Sequence, residues 1–252
     1  MICFFFFVSF NTGLTNNDGI AQVTVSNISG TVSFTCSYQS VTDTCTVTAQ
    51  SYLFYDACDS ADGLSNYGSS VIIRGTNPVA TLSYDSTNNC YALTGTGQYH
   101  AGIPIPDLDD VDNYTLEADM KCTYNDWRNK IGFCFSNPQD STVSKLFYNI
   151  DDYNNGRITA KYYKPGSDGS DIFQDQSFNY NPMDNWVHLK LEINGTAVKC
   201  TLSKTSDGTQ LFTSTHTTIS YAHRQILSGM YCELGTTTKT KVLIKNIKAE
   251  PL

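Results

Sequence analysis

The sequence predicts an all-β protein made of antiparallel sheets, and three observations carry that expectation. Tyr (16 residues) and Phe (13) stand out among Thr, Ser, Asn and Gly, while charged residues make up only 16% of the chain. Aromatic and β-branched side chains favour a pleated, half-buried strand, whereas the usual fillers of helical surfaces, Glu, Lys, Arg and Leu, are scarce. Segment after segment alternates apolar and polar residues, with Gly- and Asn-containing turns between. No stretch longer than about ten residues keeps a 3.6-residue period, so helices are expected only as short turns.

Two regions follow, at 1–50 and 52–252. In the first, Ile20–Val25, Thr31–Tyr38 and Thr44–Thr48 alternate as strands, with Thr and Ser toward solvent. Asn16-Asn-Asp-Gly19 and Asn27-Ile-Ser-Gly30 supply turns. The aromatic start, Met1 to Phe10, reads as a strand running into Asn11-Thr-Gly13. A secretory signal is the rival, but no Lys or Arg precedes the apolar run and no small-residue cleavage site follows it. It is too short to cross a bilayer as a helix. Three or four strands fall short of the roughly seven of an immunoglobulin-type sandwich, so this segment reads as incomplete. A turn centred on Ser40-Val41 would set Cys36 opposite Cys45, beside Val32, Phe34 and Val47. That makes a cross-strand disulfide or two buried thiols equally good expectations.

The second region opens at Tyr52–Asp56 and continues with strand candidates at Val71–Arg74, Tyr91–Thr94, Tyr114–Cys122, Lys130–Phe135, Leu146–Ile150 and Ile158–Tyr163. Trp186–Ile193 and Ala197–Leu202 flank Asn194-Gly195, a dipeptide that marks a tight hairpin. Gly229–Leu234 and Thr240–Lys248 complete the set, and together they predict hairpins around one continuous core.

The first region resembles the second half of a bacterial immunoglobulin-like repeat, from Val8-Ser-Phe-Asn-Thr-Gly13 through Gly30-Thr-Val-Ser-Phe-Thr-Cys-Ser-Tyr38 to Asp43-Thr-Cys-Thr-Val-Thr48. Such repeats occur in invasin-like adhesins and phage structural proteins. The resemblance implies that Met1 is an internal start or that the frame is truncated. The second region resembles the concanavalin A-like lectin/glucanase superfamily, which includes laminin-G-like jelly rolls. The order Tyr114–Cys122, Ile131-Gly-Phe-Cys-Phe-Ser136, Phe147-Tyr-Asn-Ile-Asp151, Gly156–Lys161, the Asn185–Gly195 hairpin and Val242–Lys248 carries it. This pattern implies a fold more than an activity.

Most chemistries lack their residues. With a formal net charge of -8 and no run of Lys or Arg, the surface does not suit a phosphate backbone. The nine cysteines form no CxxC, the four histidines no HExxH, and neither a GxSxG elbow nor a P-loop occurs. The superfamily's glucanases set carboxylates on alternate residues of one strand, one as nucleophile and one as acid. Here Glu117 and Asp119 share a face, but Lys121 stands where a third carboxylate would be. They therefore read as a solvent-facing polar stripe opposite Leu116, Ala118 and Met120. His188, near Leu189 and Leu191, reads as a structural histidine.

Asp107, Asp109, Asp110 and Asp112, and separately Asp151 and Asp152, offer the oxygen ligands calcium takes, but without the Gly and spaced Glu of an EF-hand loop. No cofactor is expected, with Ca2+ a secondary option. Binding a pyranose needs an aromatic plane and amide or carboxylate groups for its hydroxyls. Trp127, in the polar turn Tyr124–Arg128, with Tyr153 and Asn154, forms the candidate carbohydrate site. Tyr162, Tyr163 and Tyr180 border a loop at 164–181. The sequons at Asn27, Asn113 and Asn194 are read as chance.

An immunoglobulin-like spacer before a lectin-like sandwich implies a non-catalytic module of an adhesin or phage tail. It would be extracellular, on a cell surface or a virion, and would bind cell-surface glycan or polysaccharide, with oligomers as part of a larger fibre. Neither nucleic acid nor membrane insertion is expected. A glycan-processing enzyme on the same sandwich and a ligand-free structural module are the alternatives.

Overall fold

The computed structural model describes residues 30–38, 41–49, 52–74, 79–96, 99–105, 108, 113–123, 130–135, 145–151, 156–163, 170–183, 185–217, 228–234 and 241–252. The chain divides into two compact units, Met1–Ser51 and Tyr52–Leu252.

In the first unit, β1 (Gly30–Tyr38) and β2 (Val41–Ala49) pair antiparallel. The register sets Phe34 opposite Cys45 and Cys36 opposite Asp43. Cys36 and Cys45 thus share a face but stand diagonally, one rung apart, because the turn is centred one residue earlier than expected. Direct opposition, the basis for expecting a disulfide there, is absent. The candidate strands Met1–Phe10 and Ile20–Val25 lie outside the described residues.

The second unit runs through β3 (Phe54–Asp56), a 3-10 turn at Asp62–Asn66, β4 (Val71–Arg74), β5 (Val79–Asp85), β6 (Cys90–Thr96), β7 (Tyr99–Pro104), β8 (Asn113–Cys122) and β9 (Lys130–Phe135). It continues with β10 (Lys145–Asp151), β11 (Arg157–Tyr163), β12 (Ser170–Ser177), β13 (Val187–Asn194), β14 (Ala197–Lys204), β15 (Gln210–Thr217), β16 (Ser228–Leu234) and β17 (Lys241–Pro251). A seven-stranded sheet has the order β12-β11-β10-β9-β16-β7-β4. An eight-stranded sheet has the order β15-β14-β13-β8-β17-β6-β5, with β3 added on β17.

Alternation makes the sandwich. Along β13, Val187, Leu189, Leu191 and Ile193 are buried, while His188, Lys190 and Glu192 look outward. Leu116, Ala118 and Met120 of β8 join Ile131, Phe133 and Phe135 of β9 in one core shared by both sheets. Each large side chain so buried contributes about 1.5–3 kcal/mol. The β13–β14 hairpin pairs Asn194 with Ala197, so its two turn residues are Gly195 and Thr196, one later than the Asn-Gly pair suggests. Gly195 takes φ +55° at the first central position, where a type II′ turn uses glycine. Four strands were not anticipated: β5, β7, β12 and β15. Of these, β12 splits the loop expected at 164–181.

Candidate functional site

The register of the seven-stranded sheet gathers several connections at one end. Ile150 pairs with Ile131, so β10 ends where β9 begins. Asp151 pairs with Arg157, so β11 begins there too, and Glu233 opposite Lys130 brings the end of β16 to the same place. Segments 124–129 and 152–155 are therefore anchored on neighbouring strand ends. Trp127, Tyr153 and Asn154 themselves lie outside the described residues. Tyr162 and Tyr163 end β11 at the opposite end of this sheet, and Asp107, Asp109, Asp110 and Asp112 lie outside the described residues.

The anchors are rigid by construction. Arg157 forks onto Asp151, with Nε 2.9 Å from Oδ1 and a terminal nitrogen 2.7 Å from Oδ2. The Asp151 side chain is only 1% exposed, so the fork supplies the charge partner that a buried carboxylate requires. Gly156, between segment 152–155 and Arg157, holds φ +93°, a region closed to most L residues. A Cβ there would come within 2.3 Å of the Phe178 ring and 2.7 Å of the Tyr180 carbonyl oxygen. The Phe178 N–H donates to the Gly156 carbonyl at 3.1 Å, tying the chain after β12 to this corner. Nearby, the Lys204 ammonium lies 5.1 Å from the Tyr180 ring centre.

The outward face of the same sheet carries two glycines in one cross-strand row. Across five strands the register aligns Gly102, Tyr231, Gly132, Asn149 and Thr159. Glycine inside a central strand commonly marks a place where another molecule or backbone comes close. Lys130, Asp151 and Thr159 are buried, so they do not themselves offer a contact surface. Gly132 lies inside the expected strand Lys130–Phe135, whereas Gly102 lies in β7, which the sequence pattern does not mark, and which face each occupies depends on cross-strand register.

The acid pair has a different setting. Glu117 and Asp119 sit on the outward face of the eight-stranded sheet, and both are buried rather than solvent-facing. Glu117 meets the Lys248 ammonium at 2.6 Å, with Lys190 and His188 each at 3.6 Å. Asp119 lies 2.8 Å from His188 Nδ1 and accepts from the Asn246 amide at 2.6 Å. The flanking strands explain this, since His188 and Lys245 stand opposite Asp119 while Lys190 and Lys248 stand opposite Glu117. Asn246 reaches in because β17 bulges there, with Asn246 at φ +53°. Carboxylates saturated by cations and amides do not present a free acid and nucleophile to a glycosidic bond.

Cys58, Cys90, Cys122, Cys134 and Cys200 are buried. Burial pushes the Cys58 and Cys200 thiols up, and it raises Cys90 to about 11. Among the described residues, no group of three or more His, Cys, Asp or Glu is placed to hold a metal, and no helix is long and apolar enough to cross a membrane.

Solved structures share this architecture. Lectin I-B4 from Griffonia simplicifolia, in its metal-free form, superposes with a TM-score of 0.51 at 13% identity, covering 78% of this chain and 98% of the lectin. The fold is a concanavalin A-like jelly roll. The metal-free exoplasmic/lumenal domain of VIP36 gives 0.52 at 9% identity, covering 78% of this chain and 90% of that domain. A xylan β-1,4-xylosidase from Bacillus halodurans gives 0.54 at 10% identity, covering 78% of this chain but only 38% of the enzyme. No protein-family model and no curated protein matches the sequence. Identities this low speak to fold alone.

Proposed function

We propose that residues 52–252 form a non-catalytic carbohydrate-binding module whose contact surface is the end of the seven-stranded sheet bearing segments 124–129 and 152–155. One observation carries the proposal. The strand ends that flank Trp127 and Tyr153-Asn154 in sequence stand side by side, and the Asp151–Arg157 fork braces them. An indole offers the plane for a pyranose face, and Asn154 offers a donor and an acceptor for hydroxyls. That lectins share the fold supports the same role. The buried state of Glu117, paired with Lys248, and of Asp119, bonded to His188 and Asn246, weighs against hydrolysis at that pair.

The wider setting is an arm of an adhesin or phage tail, outside the cell. It draws on the likeness of residues 8–48 to an immunoglobulin-like repeat, and the binding partner would be a cell-surface glycan or polysaccharide. Weak single-site binding would then gain strength from many copies.

A glycan array probed with the full chain tests the role. Binding that falls about tenfold or more in Trp127→Ala, equivalent to about 1.4 kcal/mol, is the expected result. Binding unchanged in that variant overturns the site, and a chain that binds no glycan points to a purely structural module.

A further inference from the structure

We infer that the outward face of the eight-stranded sheet carries a second saccharide-binding surface, centred on Tyr52 and Tyr55. The inference rests on the carbohydrate-binding role proposed for residues 52–252, but places its contacts on the opposite side of the sandwich.

Tyr52 and Tyr55 are 41% and 52% exposed, and their rings stack with centres 5.1 Å apart at 28°. Exposed aromatic surface gains nothing from folding, yet a pre-stacked pair is a rigid apolar plane of the kind a sugar ring covers. Tyr55 stands opposite Lys248 on β17. From there the sheet presents hydrogen-bonding groups in sequence. Lys248 holds Glu117 at 2.6 Å and Glu250 at 3.5 Å. Glu250 stands opposite Thr115 on β8, and Glu192 flanks Thr115 from the other side.

Thr115 supplies an independent sign of a ligand. It is 5% exposed, and among the described residues its Oγ1 has no hydrogen-bond partner. Leaving a buried hydroxyl unmatched costs about 1–3 kcal/mol, a penalty that a bound hydroxyl removes. Carboxylate acceptors at Glu250, an ammonium donor at Lys248 and the Thr115 hydroxyl match the alternating donors and acceptors of a polyol. The stacked tyrosines take its apolar face. A neutral polysaccharide chain meets both requirements, and two surfaces on opposite sheets would let one module engage two chains, or two stretches of one.

Affinity electrophoresis of the full chain in native gels cast with xylan, galactomannan or mixed-linkage β-glucan tests this surface. The wild type is retarded by at least one polymer. A Tyr52→Ala/Tyr55→Ala double variant loses about a hundredfold in apparent affinity for it, the low end of the gain that a second linked contact gives. The Tyr52→Phe/Tyr55→Phe variant keeps the rings and stays close to wild type. Both variants melt within a few degrees of wild type, because the substituted rings are exposed. Wild-type retardation of the alanine double variant overturns the second surface, and so does a phenylalanine variant as weak as the alanine one. Trp127→Ala separates the two claims. If it abolishes retardation while the tyrosine variants bind normally, the Trp127 site stands and this surface falls. If only the alanine double variant weakens, this surface stands alone. A wild type retarded by no polymer overturns both.

Discussion

Arg157 and Asp151 face each other across the β10–β11 pair and join through two parallel N–H···O bonds, closing the base of segment 152–155. Because the carboxylate is buried, removing its cation should cost more than the pair gains over a neutral replacement. Arg157→Ala is expected to lower unfolding free energy by about 3 kcal/mol. Arg157→Lys, which keeps the charge but loses the fork, should lower it by about 1 kcal/mol. Urea denaturation measures both, and equal losses in the two variants would contradict a role for the fork geometry.

Gly156→Ala should be costly for a different reason. At φ +93° the alanine is strained, and its Cβ meets the Phe178 ring and the Tyr180 carbonyl. A loss of about 2 kcal/mol is expected, more than a helix-interior exchange between the two residues involves. If binding at the Trp127 end is measured alongside, it should weaken with the corner. A stable Gly156→Ala chain with intact binding would show that this corner does not position segment 152–155.

For the acid pair, the expectation separates stability from chemistry. Asp119→Ala frees His188 and Asn246 from their shared acceptor and should destabilise by about 1–3 kcal/mol. Thermal melts give that number. Incubation with a polysaccharide panel should release no reducing sugar from either the wild type or Glu117→Gln. Wild-type turnover lost in Glu117→Gln without a change in melting temperature would restore the enzyme alternative.

His216 gives a pH signature. It stacks on Tyr148 at 5.5 Å between ring centres, and its Nε2 hydrogen-bonds the Tyr148 hydroxyl, linking β15 of one sheet to β10 of the other. Burial holds its imidazole below the ordinary 6.5. On acidification the unfolded chain therefore takes up this proton first. The stability it contributes is complete above about pH 6.5 and drains away as pH falls from there toward the lower folded-state value. Between pH 7 and pH 5 the wild type should lose more melting temperature than His216→Gln. Parallel curves for the two would remove His216 from the account.

The sequence pattern located strands best where both neighbours are present. Tyr114–Cys122 and Trp186–Ile193 alternate cleanly because each buries one face and pairs on two sides. Three of the strands not anticipated, β5, β12 and β15, lie at sheet edges. They pair on one side only, and Ser, Thr, Gln and Asp interrupt their apolar period. The fourth, β7, carries Gly102 and Pro104, residues that weaken strand patterns. The burial of Glu117 and Asp119 was not legible either, since it depends on which lysines and histidine the flanking strands set beside them. Trp127, Tyr153 and Asn154 stand out by turn composition alone, and only cross-strand register sets the strand ends flanking them side by side.

β17 pairs with β8 along one side and with β6 and β3 along the other. It is the keystone of the larger sheet. A nascent chain that has emerged only as far as β16 holds β5 and β6 apart from β8, β13, β14 and β15, two fragments with facing open edges, and leaves β3 without its pairing strand. The sandwich therefore cannot close during synthesis until residues 241–251 have left the ribosome, and until then those edges are the places where such a chain would mispair.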